Sequence, residues 1–568
     1  MRAGQTFDEL LRAVAHLHRN YRLDEAAEVY RQLVRMKPND ARLFGLFGRL
    51  RFDQGRFDEA LQLTDKAIRF APDNALQPFQ RAEILEKLGR HGEAADAYRR
   101  AIELDPGLSA AFAALVNITL LQCDWRNLDA DLAKVTASVK EKRGSVKPYT
   151  FLLLSDDPAD QLQCAAAFGR GQLRQLAHVM QGSPYTHQPR KREKIRVGYL
   201  SADFRNHATT HLLGEVIELH DRSKFEVVAI STGPDRDDPY RKRIAQAFDQ
   251  FVDALEWPIN EFSRRVHALE LDILVDLMAH TAMTTTPMLA DRPAPIQVNY
   301  LGYPGTTGFD FVDYIIVDPF IVSPEDAPHF SEKPVFLPDC YQPNDRKRVV
   351  SNQPQRRADH GLPEEGFVFA CLNKTNKLMP QMFDVWMRLL VAVPGSVLWL
   401  LRGSDNSDGN LRAEAKKRGV DPARLVFAPK VPVPDHLARL QLADLMLDTF
   451  PYNSHTTASD ALWVGVPLAT FAGRSFQARV AGSLLSAVGA PELIAHSFED
   501  YYALCLRLAE DRSRLQEIRE RIRANRDGSA LFDAPRYTRN LERTYETMFD
   551  IWLKGEEPRS FAIDPGKG

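Results

Sequence analysis

The stretch "LADLMLDTFPYNSHTTASDALWVGVP" (residues 442–467) joins a short apolar run to a segment with helical spacing. The polar residues from Asn453 to Thr457 come between the two, where a buried strand gives way to a helix. A helix N-terminus exposes unpaired N–H groups and carries a partial positive charge, so it attracts phosphate. Short buried strands that lead into helices are typical of parallel α/β sheets.

The polar turn has two interpretations. In the first, the amides and hydroxyls of His455, Thr456 and Thr457 hold a diphosphate, and Asp460, about one turn into the helix, accepts hydrogen bonds from a ribose. In the second, the turn is an ordinary N-cap cluster, because Ser and Thr favour that place in any helix. Thr456 or Thr457 can cap the helix in either case. The stretch alone leaves both interpretations open.

Similar apolar runs recur on both sides of this stretch. From about residue 191 the runs are "IRVGYLS", "FEVVAIST", "LDILVDL", "IQVNYLG" and "DYIIVD", and later "FVFACL", "SVLWLLRG", "RLVFAP" and "PLATFAG". Strands of this length that alternate with helices predict parallel sheets covered on both faces. A polar, proline-containing segment at residues 340–361 interrupts the alternation. We therefore predict two Rossmann-like, doubly wound domains, at residues 190–345 and 360–560, whose strand ends face a common cleft.

The N-terminal third has a different pattern, a repeat of 34 residues marked by Pro38, Pro72 and Pro106. The same register relates the arginines, the glutamates and the buried-type alanines of each repeat: Arg22, Arg56 and Arg90; Glu25, Glu59 and Glu93; Ala26, Ala60 and Ala94. This period is typical of tetratricopeptide (TPR) repeats. We predict TPR and TPR-like helices over residues 1–185, with degenerate repeats after residue 109. Such arrays bind extended peptides or proteins in a groove, and a plain stability scaffold is the alternative.

Composition narrows the possible partners and compartments. The 73 Lys and Arg residues nearly balance the 76 Asp and Glu residues, which argues against a nucleic-acid binder. Charges interrupt the N-terminus, so we expect neither a signal peptide nor a membrane anchor, and no membrane partner. The five cysteines are scattered and form no metal-binding spacing. These features predict a reducing compartment and a cytoplasmic location.

Three segments that follow the TPR repeats in the sequence are distinctive. They are "QLADLMLDTFPYNSHTTASDALWVGVPLATFAG", "APIQVNYLGYPGTTG" and "YLSADFRNHATTHLL". Together they resemble the O-linked N-acetylglucosamine (O-GlcNAc) transferases, over nearly the whole chain. The resemblance implies a GT-B glycosyltransferase that uses UDP-N-acetylglucosamine (UDP-GlcNAc), inverts the anomeric centre and modifies Ser or Thr of proteins. The second α/β domain then binds UDP, and the protein acceptor lies along the TPR groove and the cleft.

The resemblance also implies roles for individual residues. For the nucleotide, they are His455, Thr456 and Thr457 at the diphosphate, Asp460 at the ribose, His436 on the uracil with Arg439 nearby, and Lys374 near the phosphates. For catalysis and the sugar or acceptor, they are Lys377 at the departing phosphate, His207 facing the sugar and acceptor, and Thr281, Leu301, Gly302 and Pro304 around them. Lys374 stands where the animal enzymes have Gln, and Tyr452-Asn453-Ser454 stands where the family has Cys-Asn-Gly.

The chemistry of these residues agrees with a reaction that needs no metal. Loss of UDP builds charge on the β-phosphate, and a lysine and a helix terminus can stabilise that charge. The competing metal hypothesis uses an Asp-x-Asp pair, Asp235 and Asp237 in "DRDD"; a solvated loop is the favoured interpretation, because Arg236 and Pro239 adjoin it. His207 has an imidazole suited to accept the acceptor proton. His211 lies four residues on, and either histidine could instead be a hydrogen-bonded polar residue.

Other functions remain open at this stage. The short array and compact linker look like the bacterial members of the family, for which the sugar and the acceptor are uncertain. One alternative is a UDP-glucose-dependent transferase that modifies protein oxygen or nitrogen. The UDP-GlcNAc 2-epimerases have the same tandem fold but no repeat array, which argues against them. A TPR scaffold that binds UDP-sugar without transfer is the alternative of another class.

Overall fold

The computed structural model describes residues 6–19, 22–177, 184–234 and 237–565. Its first part is a series of antiparallel helices packed against their neighbours in sequence. These are α1 (Phe7–Arg19), α2 (Leu23–Met36), α3 (Ala41–Asp53), α4 (Phe57–Phe70), α5 (Leu76–Lys87), α6 (His91–Leu104), α7 (Ser109–Leu121), α8 (Leu128–Lys140), α9 (Pro148–Leu152) and α10 (Pro158–Leu176).

The repeated residues explain the helix boundaries of this array. Helices α2, α4 and α6 each end two residues before one of the three spaced prolines, which cannot continue a helix. Arg22, Arg56 and Arg90 occupy the N-cap positions of the same three helices. Each arginine pairs with the glutamate three residues later. The repeated alanines are buried where the helices touch, so the predicted TPR array is confirmed.

A first parallel sheet follows the array. Its strands are β1 (Ile195–Ser201), β2 (Phe225–Ser231), β3 (Gln250–Asp253), β4 (Ile273–Asp276), β5 (Ile296–Asn299), β6 (Tyr314–Val317) and β7 (Lys333–Phe336), with helices α11 (Ala208–Leu219), α12 (Pro239–Ala247) and α13 (Ile259–His267). The spatial order is β7-β6-β5-β4-β1-β2-β3. The order reverses between β1 and β4, and a crevice opens beyond the strand ends at such a reversal.

A second parallel sheet has the order β10-β9-β8-β11-β12-β13 and reverses between β8 and β11. Its strands are β8 (Val368–Cys371), β9 (Val397–Leu401), β10 (Leu425–Ala428), β11 (Leu445–Leu447), β12 (Leu468–Phe471) and β13 (Ile494–Ala495). Its helices are α14 (Pro380–Ala392), α15 (Asp405–Lys417), α16 (Val433–Leu440), α17 (Thr456–Trp463), α18 (Val480–Val488), α19 (Phe498–Glu510) and α20 (Arg512–Asn525). The predicted fold class, a TPR array followed by two Rossmann-like units, is confirmed.

The end of the described chain returns to the first sheet. Helix α21 (Ala534–Leu553) packs on α11, and the short strand β14 (Phe561–Ala562) pairs in parallel with β7. Glu542 of α21 accepts a hydrogen bond from the backbone N–H of Asp221 at 2.7 Å, and the hydroxyls of Tyr545 and Tyr199 are 3.0 Å apart. The chain therefore crosses between the two units twice, and the domain boundaries at residues 190–345 and 360–560 stay a prediction.

Two further observations concern the whole described chain. None of its helices is both long enough and apolar enough to cross a bilayer. All five cysteines are buried free thiols, at positions 123, 164, 340, 371 and 505.

Candidate functional site

The loops after β8 and β11 meet at the reversal of the second sheet. The loop after β8 contains residues 373–377 and ends in a short 3-10 helix (Thr375–Lys377). The loop after β11 contains residues 448–455 and leads into α17. Because both strands are parallel and adjacent, their following loops lie at the same edge of the sheet. The topology thus brings Lys377 next to the polar turn of residues 453–457.

Helix α17 begins at Thr456, with His455 in the N-cap position. The prediction that Thr456 or Thr457 caps this helix is wrong, because both threonines lie inside the helix. No side chain of the described chain caps its N-terminus. The ring of His455 turns away instead, with Nε2 3.2 Å from the carbonyl oxygen of Gln477, and stacks on Tyr452. The amides of the first turn therefore keep their hydrogen-bonding capacity, as the diphosphate interpretation requires.

A buried carboxylate, Asp448, shapes the loop before α17. It accepts hydrogen bonds from the backbone N–H of Thr449 at 2.8 Å, from that of Ser454 at 2.5 Å and from the Thr470 hydroxyl at 2.6 Å. Asn373, from the neighbouring loop, donates to the Ser454 hydroxyl at 2.6 Å. Burial outweighs the effect of these donors and raises the pKa of Asp448 to about 6. The loop is therefore held by side chains that sequence patterns did not single out.

Lys377 is a cation in direct contact with this turn. Its Nζ donates to the carbonyl oxygen of Asn453 at 2.8 Å and lies 4.0 Å from the centre of the Tyr452 ring. Burial lowers the pKa of Lys377 to about 7, against the opposing charge of Asp448. Lys374, three residues earlier, is exposed. Two lysines in different environments thus follow one strand: Lys374 is exposed, and Lys377 is half-buried against the loop that leads into α17.

A third group of residues joins α16 to α17. Arg439 is buried and donates to the carbonyl oxygen of Pro429 at 2.6 Å, and its Nη2 is 3.3 Å from Nδ1 of His436. Nε2 of His436 is 3.8 Å from Asp460, and burial lowers the pKa of His436. Asp460 also forms an ion pair with Arg348, a residue of the linker. Sequence reasoning missed Arg348, because nothing in the run "NDRKRVV" distinguishes it from a solvated cation.

His207 and His211 lie at the start of α11, after β1. Nδ1 of His207 is 3.4 Å from the backbone nitrogen of Thr209 and 3.5 Å from Oδ2 of Asp203. Burial lowers the pKa of His207, although Asp203 opposes this effect. Nε2 of His211 is 2.9 Å from Oδ1 of Asn206, and burial lowers its pKa to about 4. His211 is therefore a hydrogen-bonded neutral residue, and His207 is the more exposed of the two.

Electrostatics show that the two units face each other. The positive charge of Lys374, in the second unit, lowers the pKa of His207 in the first, after the larger effect of burial. Similarly, the charge of Arg348 lowers the pKa of His211, and the charge of Asp460 raises it. Gln342 of the linker donates to the Ser459 hydroxyl of α17 at 2.6 Å. The ends of β1 and of β8 and β11 thus line one cleft.

The other predicted pocket residues follow β4 and β5 of the first sheet. Thr281 is half-buried, whereas Leu301 and Pro304 are buried. Leu301 has a φ of 67°, in the left-handed region. A Cβ on Gly302 would lie 1.8 Å from the carbonyl oxygen of Leu277, so only glycine allows the loops after β4 and β5 to touch. Leu301, Gly302 and Pro304 therefore shape the wall of the cleft through the backbone.

The alternative metal site is only partly described. Asp235 lies outside the described residues. Asp237 pairs with Lys242 at 2.6 Å, and Asp238 caps α12 by accepting from the backbone N–H of Arg241 at 2.8 Å. Within the described ranges, no group of three His, Cys, Asp or Glu side chains could hold a metal ion.

The architecture is that of the GT-B class: a helical array, then two parallel α/β units that face one cleft. The profile of glycosyl transferase family 41 matches residues 122–356 and 346–541, and that of the tetratricopeptide repeat matches residues 10–75 and 46–109. The chain therefore belongs to glycosyl transferase family 41.

Relatives of known name are similar over most of the chain. A probable UDP-N-acetylglucosamine–peptide N-acetylglucosaminyltransferase SEC of Arabidopsis thaliana is 34% identical over 459 residues, which are 78% of this chain and 47% of the relative. The corresponding transferase of Caenorhabditis elegans is 26% identical over 76% of this chain and 48% of its own length. The chain thus spans about half the length of the curated relatives it matches. A Thermobaculum terrenum O-GlcNAc transferase mutant has a similar structure, with a TM-score of 0.69, 25% identity and coverage of 98% of this chain and 99% of that one.

Proposed function

We propose that this chain is an inverting glycosyltransferase that moves N-acetylglucosamine from UDP-GlcNAc to Ser or Thr hydroxyls of proteins. One observation carries the proposal: a half-buried lysine, Lys377, donates to the loop that leads into the uncapped N-terminus of α17, at the strand-order reversal of the second sheet. Membership of family 41 and the names of the relatives support the sugar and the protein acceptor. Ligands of doubly wound sheets bind at such reversals of strand order.

In the proposed reaction the bond from the anomeric carbon to the β-phosphate oxygen breaks, and negative charge develops on UDP. The first-turn amides at Thr456 and Thr457, beside His455, are proposed to hold the diphosphate, and the Lys377 ammonium to stabilise the leaving oxygen. Lys374, in the same loop after β8, is proposed to add positive charge near the phosphates. His436 and Arg439 are proposed for the uracil and Asp460 for the ribose.

The acceptor hydroxyl attacks the opposite face of the sugar and must lose its proton. His207 is proposed for this site, because it is partly exposed and its lowered pKa keeps the imidazole neutral at pH 7. The Asp203 carboxylate, 3.5 Å from Nδ1, is proposed to stabilise the imidazolium that forms when His207 takes the proton. Thr281 and the backbone of Leu301, Gly302 and Pro304 are proposed to bound the sugar and acceptor pocket. We propose that the rest of the protein acceptor follows the TPR groove.

The proposed chemistry does not require a metal, because Lys377 and the helix terminus supply the charge that a divalent cation otherwise supplies. We expect EDTA to leave the transfer rate unchanged within about twofold. A rate that falls with EDTA and returns with Mg²⁺ or Mn²⁺ would contradict this expectation and favour the pair Asp235 and Asp237. Buried free thiols at all five cysteines support a reducing, cytoplasmic location.

The function is tested by incubating the purified chain with UDP-GlcNAc or UDP-glucose and a pool of Ser- and Thr-containing peptides. Mass spectrometry measures the sugar on the peptides, and a coupled assay measures free UDP. We expect peptide modification and UDP release with UDP-GlcNAc. Modification with UDP-glucose alone would establish the glucosyltransferase alternative, and UDP binding without release would establish the scaffold alternative. Lys377→Ala is expected to abolish transfer, and it serves as the negative control.

A further inference from the structure

The linker between the two α/β units is attached to both of them by consecutive charged residues. Three linker residues pair with charged side chains on α11 and α12 of the first unit: Asp345 with Arg243, Arg346 with Glu215, and Lys347 with Glu218. The next residue, Arg348, turns to the second unit and pairs with Asp460 of α17. Arg348 is thus the point at which the linker changes from one unit to the other.

Arg348 is a buried cation with unused hydrogen-bonding groups. Its side chain is 4% exposed, and one of its nitrogens, Nη2, donates to Asp460. The other two, Nε and Nη1, are buried and find no acceptor among the described residues. Buried donors without partners are unfavourable, so they favour the arrival of an acceptor.

Space for such an acceptor adjoins the residue. Arg348 lines a cavity of about 480 Å³, whose walls include Trp463 of α17 and Phe532. Asp460 and Trp463 are three residues apart and lie on the same face of α17. At a rise of 1.5 Å per residue, Asp460 is about 6 Å along the helix from Thr456. Trp463, the α17 residue in the cavity wall, is about 10 Å along the helix from Thr456, so the cavity lies about two turns from the proposed diphosphate position.

The other groups that face Arg348 come from both units. His211 of α11 and Tyr240 of α12 lie on the first-unit side, and His436 of α16 on the second, and the charge of Arg348 favours the neutral form of both histidines. The carboxylate that forms an ion pair with Arg348 is that of Asp460. The pair has no net charge, and it offers an acceptor and donors side by side.

We propose that Arg348 belongs to the nucleoside part of the donor site and holds the ribose together with Asp460. In this arrangement Asp460 accepts a hydrogen bond from one ribose hydroxyl, and Arg348 donates through Nε or Nη1 to a hydroxyl oxygen. A vicinal diol both donates and accepts, so it fits a carboxylate–guanidinium pair better than a phosphate, which Asp460 would repel. The inference rests on the proposed function and adds a residue from the linker to its donor site.

The test compares the binding of UDP, 2′-deoxy-UDP and 3′-deoxy-UDP by calorimetry to the full chain and to Arg348→Ala. We expect Arg348→Ala to bind UDP about tenfold more weakly and to lose most of the preference for UDP over one of the deoxy nucleotides. Lys347→Ala is the matched control, because it removes a neighbouring linker cation that pairs with the first unit. Its affinities should stay within about twofold of the unchanged chain.

Three outcomes would overturn the inference. Arg348→Ala could bind all three nucleotides as the unchanged chain does, bind UDP more tightly, or weaken all three by the same factor. Arg348→Lys keeps the charge, so it supplies the measurement if the alanine variant does not fold, and it should lose part of the hydroxyl preference. If the unchanged chain itself binds no UDP, the proposed function fails, and that result is distinct from a failure of Arg348 alone.

Discussion

Lys377 is a residue whose charge in the free protein depends on pH near neutrality. Burial lowers its pKa to about 7, so the side chain is largely an ammonium below pH 7 and largely a neutral amine above it. A bound diphosphate favours the ammonium and raises its pKa. The protein is thus expected to take up a proton when it binds UDP in slightly alkaline solution.

We predict that the affinity for UDP falls as the pH rises from 7 to 9, by up to about tenfold per pH unit, because binding must then reprotonate Lys377. Calorimetry in buffers of different ionisation enthalpy measures both the affinity and the proton uptake. Lys377→Met should bind UDP weakly at every pH, with little slope over this range. An unchanged affinity of the natural chain between pH 7 and 9 would show that Lys377 does not meet the diphosphate.

His207→Ala separates nucleotide binding from transfer. We predict a loss of transfer of about a hundredfold or more, since general bases contribute on that scale, with UDP affinity within about twofold. His211→Ala is the comparison: His211 bonds to Asn206 and is held neutral by burial, so its loss should alter stability more than chemistry. Near-normal turnover of the His207 variant would remove that residue from the proposed site.

Sequence patterns predicted some residues of the candidate site but not others. Lys377 and the turn of residues 453–457 could be predicted because both follow apolar strands, and parallel strands place their following loops together. The helix cap could not, since the ring of His455 is drawn to Gln477 by a tertiary contact. Arg348 was equally hidden, because its partner Asp460 is 112 residues away in the chain. The fold was easier to predict from the sequence, because it depends on the periodicity of apolar residues, whereas these contacts depend on tertiary packing.

At the scale of elements, the loops after β4 and β5 form a contact that only a glycine allows. A Cβ at position 302 would lie 1.8 Å from the carbonyl oxygen of Leu277, which belongs to backbone and cannot move aside cheaply. The same loop contains Gly305, where the nearest atoms to an added Cβ, within 3.5 Å, belong to the side chains of Tyr303 and Leu152. The two glycines therefore form a matched pair for substitution.

We predict that Gly302→Ala lowers the free energy of unfolding by about 1–3 kcal/mol and reduces transfer, because the two loops must separate at the cleft. Gly305→Ala should cost less, since its nearest contact, 3.2 Å away, is to a side chain. Thermal unfolding and transfer assays of both variants provide the measurement. Equal stability of the two variants would contradict the close approach at Gly302.

At the scale of the whole molecule, the end of the helical array touches the loop that carries Lys377. The Thr375 hydroxyl donates to the carbonyl oxygen of Leu121 at 2.7 Å, and Asn410 donates to that of Gln122 at 2.9 Å. Asp156 similarly accepts from the backbone N–H of Ser475 at 2.9 Å. The later helices of the array therefore support the α/β units, whereas the main packing contacts of α1 to α4 lie within the array.

We predict that deletion of residues 1–72 preserves UDP binding within about twofold and sharply reduces transfer to protein acceptors, because the early repeats are proposed to bind the acceptor. Deletion of residues 1–122 should abolish UDP binding as well, since it removes the support of Thr375. Calorimetry and transfer to peptides and to folded proteins distinguish these effects. Full transfer to every acceptor by the shorter deletion would show that the first repeats are a scaffold.

The returning C-terminal segment limits how the two α/β units can move relative to each other. The polypeptide passes from one α/β unit to the other at the linker and again before α21, and β14 is fixed in the edge of the first sheet. Because two chain connections join the units, a rotation about the line between them should strain the backbone less than a separation does. Under the proposed function, release of UDP is therefore expected to require a hinge rotation of the two units, and a shorter connection at either crossing should slow turnover without changing the chemistry.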